Sequence, residues 1–147
     1  MKCMTQTIKD IIKSFSLFDD WEDRYRYVIE LGNELTPYSE SAKDNAHRVL
    51  GCISQVWLSC ERGSDDNDPV LTFKGDSDAH IVKGLVYIVL ALYSGRRASD
   101  ILAIDAEATL AKLGLDENLT PQRSNGLRSM IARIHEEAAK SQKKIKA

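Results

Sequence analysis

Several functional classes are excluded by what this sequence lacks. It has only three cysteines in 147 residues, and an odd number, with no leader expected, argues against a disulfide framework. Met1-Lys2-Cys3-Met4 runs straight into Thr5-Gln6-Thr7, so no secretory signal is expected, and the protein is expected to be cytoplasmic with reduced thiols. Basic charge is not in excess: 20 Lys+Arg against 22 Asp+Glu give a net charge of −2, whereas a general nucleic-acid binder is usually basic. The longest apolar run, Leu85 to Tyr93, falls far short of the ~20 residues that span a bilayer, so no membrane segment is expected. No internal repeat and no low-complexity stretch occurs. A bound metal is not expected either. Cys52 and Cys60 stand eight apart without a CxxC pair, and His47, His80 and His135 have no ligand spacing with them. A structural zinc site needs four such ligands.

What is present suffices for a core. The chain is 43% hydrophobic, enough for one ordinary domain over residues 1–147. Ile8, Ile11, Ile12 and Phe15 recur at helical spacing. Asp19 or Asp20 can cap a second helix with the stripe Trp21, Tyr25, Val28, Leu31 and Leu35. Gly32 interrupts that stripe, and Pro37 is expected to end it. Ser39 to Asn45 reads as a polar loop. Two strands follow, Gln55 to Cys60 and Val70 to Phe73, with Gly63 to Pro69 as a hairpin turn. In the first strand, Val56, Leu58 and Cys60 fall on one side and Trp57 on the other. The acidic turn lacks calcium-loop spacing and its terminal glutamate, so a solvated turn is the better reading.

The second half is helical again. Gly75-Asp76-Ser77-Asp78 offers N-cap candidates for a helix holding Ile81, Val82, Leu85, Val86, Ile88, Val89 and Leu92. It is apolar on most sides and should be the buried central helix. Short helices are expected after Ser99 or Asp100 and after Asp105, the latter stopped by Gly114. Pro121 suits the first turn of a last helix carrying Leu127, Met130, Ile131 and Ile134. The basic residues Lys140, Lys143, Lys144 and Lys146 suit a helix C-terminus, and the tail 140–147 is expected to fray. Helices, a small antiparallel sheet, then helices define an α+β fold.

The most informative residue is Cys52, in Gly51-Cys52-Ile53-Ser54-Gln55-Val56-Trp57. Gly51 lets the backbone turn sharply before the thiol, and Val49, Leu50, Ile53 and Val56 supply apolar neighbours. Two readings compete: a small buried hydrophobe, or a thiol on a loop that carries a sulfur adduct under hydrophobic shelter. Sulfur transfer asks for one accessible thiolate that attacks a persulfide made elsewhere. A hydrolytic cysteine enzyme would also need a base and an oxyanion hole. His47, five residues upstream, is a base candidate, but no third orienting group is marked. Phosphate binding at Gly75 to Asp78 is disfavoured by its acidity.

Three stretches carry a resemblance: GCISQVW (51–57), GDSDAHIVKGL (75–85) and LTPQRSNGL (119–127). Together with FDDWEDRYRYVIELG (18–32) they make the chain similar to SufE-type sulfur acceptors, from about residue 8 to 140. The resemblance implies an α+β fold like the U-type (NifU-like) iron–sulfur scaffold domain, with the key cysteine on a loop tip. It implies that Cys52 takes sulfane sulfur as a persulfide from a SufS-type cysteine desulfurase and stimulates that enzyme. The sulfur would pass to an iron–sulfur scaffold complex of the SufBCD type. It implies a non-enzymatic accessory protein without a cofactor of its own, the PLP belonging to the desulfurase. Gly51, Ser54 and Gln55 would support the loop.

Asp78 and Arg123 match motif positions near the active loop or the partner surface. The competing readings are a helix cap for Asp78 and a structural ion pair for Arg123. One departure is visible: His47 stands where the family usually has asparagine, which leaves open an imidazolium that tunes Cys52. Cys60 lies outside the motif and reads as a core residue. Three alternatives stay open: a CsdE-like acceptor for a different desulfurase, an iron–sulfur scaffold, and an interaction domain with an inert Cys52. A scaffold would need several ligand cysteines. Whether the chain is a monomer or a homodimer is not fixed by the sequence.

Overall fold

The computed structural model describes residues 7–51, 54–63 and 68–143. Helix α1 (Ile8–Leu17) opens on a capping box in which the Thr7 hydroxyl accepts the Asp10 N–H (3.2 Å) and the Asp10 carboxylate accepts the Thr7 N–H (3.1 Å). Helix α2 (Trp21–Asn33) is capped by Asp20, as expected. It stops before Leu35, short of Pro37. The polar segment that follows holds a single 3₁₀ turn, Glu40–Ala42.

Strands β1 (Val56–Arg62) and β2 (Val70–Ser77) pair antiparallel, from Val56 opposite Ser77 to Arg62 opposite Leu71. Gly63 N–H donates to the Val70 carbonyl (2.8 Å), closing the hairpin. Turn residues 64–67, with part of the acidic cluster, lie outside the described residues. Asp68 is engaged elsewhere: its carboxylate accepts the Ser99 N–H (2.9 Å) and hydroxyl (2.5 Å). A third strand, β3 (Arg96–Arg97), completes the order β1-β2-β3. It was not expected, because two exposed arginines carry no strand pattern.

Helix α3 (His80–Tyr93) is the central helix that its composition predicted, with Leu85, Val86, Tyr87, Ile88 and Tyr93 buried. It packs on the inner sheet face, where Leu71, Phe73, Gly75 and Ser77 alternate inward along β2. The residues expected to cap α3 do something else. Gly75 to Ser77 continue β2, and the N-cap is Ala79, without a side-chain cap. Helices α4 (Ala98–Ala103), α5 (Ala106–Leu113), α6 (Leu115–Asn118) and α7 (Pro121–Lys143) follow. Asp105 caps α5, and Gly114 ends it in the left-handed conformation, as expected. Residues 140–143 belong to α7, while 144–147 lie outside the described residues.

Trp57 faces away from this core yet is buried as well. Segment 38–48 covers it. The Lys43 ammonium lies 5.2 Å from its ring centroid, and Arg48 forms a β-bridge with it. Tyr38 and Ser59 share a hydrogen bond of 2.6 Å on the same outer face.

Candidate functional site

The thiol loop leaves the free edge of β1 and returns into its first residue. Its entry is paired to β1: Leu58 N–H donates to the His47 carbonyl (2.9 Å), and Val49 N–H to the Val56 carbonyl (2.8 Å). Gly51 follows at φ +92° with its α-carbon against α7. A Cβ there would stand 2.5 Å from Ser129 Oγ. The left-handed backbone calls for glycine there, whereas the Ser129 hydroxyl, a side-chain tip, can turn aside. Leu50, just before it, is 80% exposed.

The loop's exit is held at Gln55. Its N–H donates to the Asp78 carboxylate (3.0 Å). Its carbonyl accepts the Ser77 hydroxyl (2.7 Å) and the Asp78 N–H (3.3 Å). Asp78 is thus no helix cap, which corrects that reading. Its carboxylate ties the β2–α3 junction to the loop, the position the motif suggested. Gln55 supports the loop through its backbone.

Ser54 borders a small recess of ≈ 40 Å³ between α3 and α7, lined also by Val82, Leu85, Arg123, Leu127 and Met130. Arg123 thus stands beside the loop, on the first turn of α7, where its N–H donates to the Thr120 hydroxyl (3.3 Å). Among the described residues no carboxylate pairs with its guanidinium, so the ion-pair reading finds no partner there. Cys52 and Ile53 lie outside the described residues, and with them the sheltering expected of the thiol.

His47 and Cys60 line one cleft. The His47 Nδ1 lies 2.7 Å from the Asp44 carboxylate, which also accepts the His47 N–H (3.0 Å). These bonds hold the Asp44 carboxyl below its ordinary range. His47 lines a cleft of ≈ 190 Å³ at the free edge of β1, shared with Ser59, Cys60, Phe73, Arg133 and Glu137. Cys60, expected in the core, is half-buried at this cleft. Burial first, then the nearby Glu137 charge, push its thiol up to about 11. At pH 8 its thiolate fraction is then about one in a thousand. Iodoacetamide at pH 8 should therefore spare Cys60 in the folded protein, and its alkylation should quicken about tenfold per pH unit toward 11. Peptide mass spectrometry checks this. Fast labelling of Cys60 at pH 8 would contradict the burial argument.

Among the described residues no group of three or more His, Cys, Asp or Glu side chains could hold a metal ion, and no helix is long and apolar enough to cross a membrane. Two supporting side chains had no local signal in the sequence: Ser77 and Arg133 reach the loop from β2 and α7.

Comparison with known proteins decides the family. The profile of the SufE family, described as an Fe–S metabolism associated domain, matches residues 9–138. The chain belongs to the SufE family. Two SufE-like relatives are close in sequence. A protein of Rhizobium etli is 56% identical over 132 residues, 90% of this chain and 89% of the relative. One of Rhizobium meliloti is 55% identical over 132 residues, 90% of this chain and 94% of the relative. The solution structure of a hypothetical protein from Thermus thermophilus superposes with a TM-score of 0.68 at 19% identity, covering 91% of this chain and 94% of that one. At that identity the likeness bears on the fold, and it supports the α+β arrangement. The SufE profile takes in the thiol loop, Asp78 and Arg123 alike.

Proposed function

We propose that this SufE-family chain accepts sulfane sulfur on Cys52 from a SufS-type cysteine desulfurase, stimulates that enzyme by discharging it, and delivers the sulfur to an iron–sulfur scaffold complex of the SufBCD type. The observation that carries the reading is the loop that bears Cys52. Its entry is paired to β1, and its exit is held by three hydrogen bonds at Gln55. A cysteine on a loop tied at both ends can be offered to a partner at a defined place.

The transfer is an exchange. The Cys52 thiolate attacks the outer sulfur of the desulfurase's cysteine persulfide. A new S–S bond forms on Cys52 as the partner's S–S bond breaks. The partner cysteine leaves as a thiolate, and its proton balance is that of an ordinary thiol exchange. No outside oxidant or reductant is needed. PLP, on the desulfurase, makes the donor persulfide from cysteine, so this chain supplies an acceptor and no cofactor. The setting this implies is a cytoplasmic one. Incubation with a PLP-loaded desulfurase and cysteine should add the mass of one sulfur, about 32 Da, by that exchange. A chain that stays at its starting mass with SufS-type and CsdE-partner desulfurases alike is not an acceptor.

Sulfur-to-sulfur contact demands that the surface around the loop touch the enzyme too. Arg123 flanks Ser54 there with a half-exposed side chain. Arg123→Glu should weaken desulfurase binding by about 1 kcal/mol, roughly fivefold in Kd by titration calorimetry. Melting should change little, since exposed substitutions usually cost under ~0.5 kcal/mol. Unchanged affinity would remove Arg123 from the interface.

A further inference from the structure

We infer that Arg133 is a positioning residue for the Cys52 loop, an inference that rests on the sulfur-acceptor reading. Its guanidinium reaches from α7 to two backbone carbonyls at the loop's entry. Nη2 donates to the Ala46 carbonyl (2.7 Å) and Nη1 to the Arg48 carbonyl (3.2 Å). Its Nε side is held by Glu137 on the next turn of α7 (3.6 Å), and Glu137 is held in turn by Arg62 of β1 (3.3 Å). Arg62 also donates to the buried Ser141 hydroxyl (2.8 Å). The fork is therefore oriented before it meets the loop.

Two carbonyls two residues apart match a planar fork. A lysine ammonium, as a point charge, cannot reproduce both bonds with the same geometry. Segment 46–49 has no helix of its own and is tied to β1 by Leu58 N–H to His47 and Val49 N–H to Val56. Arg133 pins the same segment from the other side. The loop then has one anchor on α7 and another at the β2–α3 junction, where Asp78 and Ser77 hold Gln55. Only residues 50–54 lie between them. Two fixed ends set where the sulfur is presented to the partner's persulfide. Loosening one end leaves the docking surface in place and misplaces the reacting atom, and a displacement of about 1 Å can cost a hundredfold in rate.

Arg133→Met and Arg133→Lys test this against Lys140→Met, which removes the exposed Lys140–Glu136 ion pair of the same helix (3.0 Å) and no bond to the loop. Single-turnover sulfur gain on Cys52, at saturating desulfurase, should slow about tenfold or more in both Arg133 variants. Their desulfurase Kd should not change, and Lys140→Met should transfer at the parent rate. Amide hydrogen exchange at Val49 and Leu58, read without any partner, should quicken in the Arg133 variants alone. The inference is overturned if either amide pattern stays as in the parent, if Arg133→Lys restores the saturated rate, or if Lys140→Met slows as much as Arg133→Met. A parent chain that gains no sulfur sinks the acceptor reading instead, and the amide exchange still decides whether Arg133 holds the segment.

Discussion

Cys52→Ser should abolish both the sulfur adduct and the stimulation of the desulfurase, while Cys3→Ser and Cys60→Ser should leave both largely intact. The reason is chemical. Serine keeps the size and the loop but has no thiolate, and the exchange needs a sulfur nucleophile. Among the described residues, the loop is held by the Val49–Val56 bond and the three bonds at Gln55, which run through groups other than the residue 52 side chain. Folding should therefore survive the substitution, and the loss should be all-or-none. Cys60 cannot stand in, because its thiol is pushed up to about 11 and it faces the cleft with Glu137 and Arg133. Intact-mass spectrometry after incubation with desulfurase, PLP and cysteine reads the adduct, and alanine release reads the stimulation. An adduct that vanishes in Cys60→Ser alone would put the chemistry on the other sulfur.

The largest effect on stability is expected from Gly84→Ala. Helices α2 and α3 meet backbone to backbone at two glycines. A Cβ on Gly84 would fall on the Val28 carbonyl oxygen and 2.6 Å from its carbon, and one on Gly32 would stand 2.7 Å from the Gly84 nitrogen. Backbone cannot swing aside as a side-chain tip can. Alanine is worth about 1 kcal/mol over glycine in a helix interior, which opposes the clash. Overpacking a close-packed contact costs about 1–3 kcal/mol and sometimes more. Here the intruding atom meets a carbonyl on the most buried helix, so the clash should win by about 2 kcal/mol or more. Against a total stability of ~5–15 kcal/mol this is a large fraction. Urea titration should show a lower midpoint with an unchanged slope. A neutral or stabilised Gly84→Ala would mean that the two helices can separate freely.

Much of the architecture was legible because it depends on neighbours along the chain. Asp20, Asp105, Gly114 and Pro121 each mark a helix end by satisfying or removing a backbone group close by. The apolar run of α3 announced burial on all sides. The misreadings share one cause, which is that distant residues decided them. Gly75 to Ser77 looked like a capping turn, yet β1 draws them into the sheet, Trp57 opposite Asp76 and Val56 opposite Ser77. Arg96 and Arg97 become a strand because β2 offers them partners. Trp57 is buried by a polar segment that no periodicity marked.

The sequence by itself determined the helix ends, the buried central helix, the position of the candidate thiol and the family likeness, because each is written in a short run of residues. Only the tertiary structure decided what holds the thiol loop. Asp78 is 23 residues from Gln55 and Arg133 is 87 from Ala46, and no local pattern encodes a hydrogen bond across such a separation. Those contacts exist because the sheet, α3 and α7 pack around one core, which brings the β2–α3 junction and one face of α7 to the two ends of the same loop.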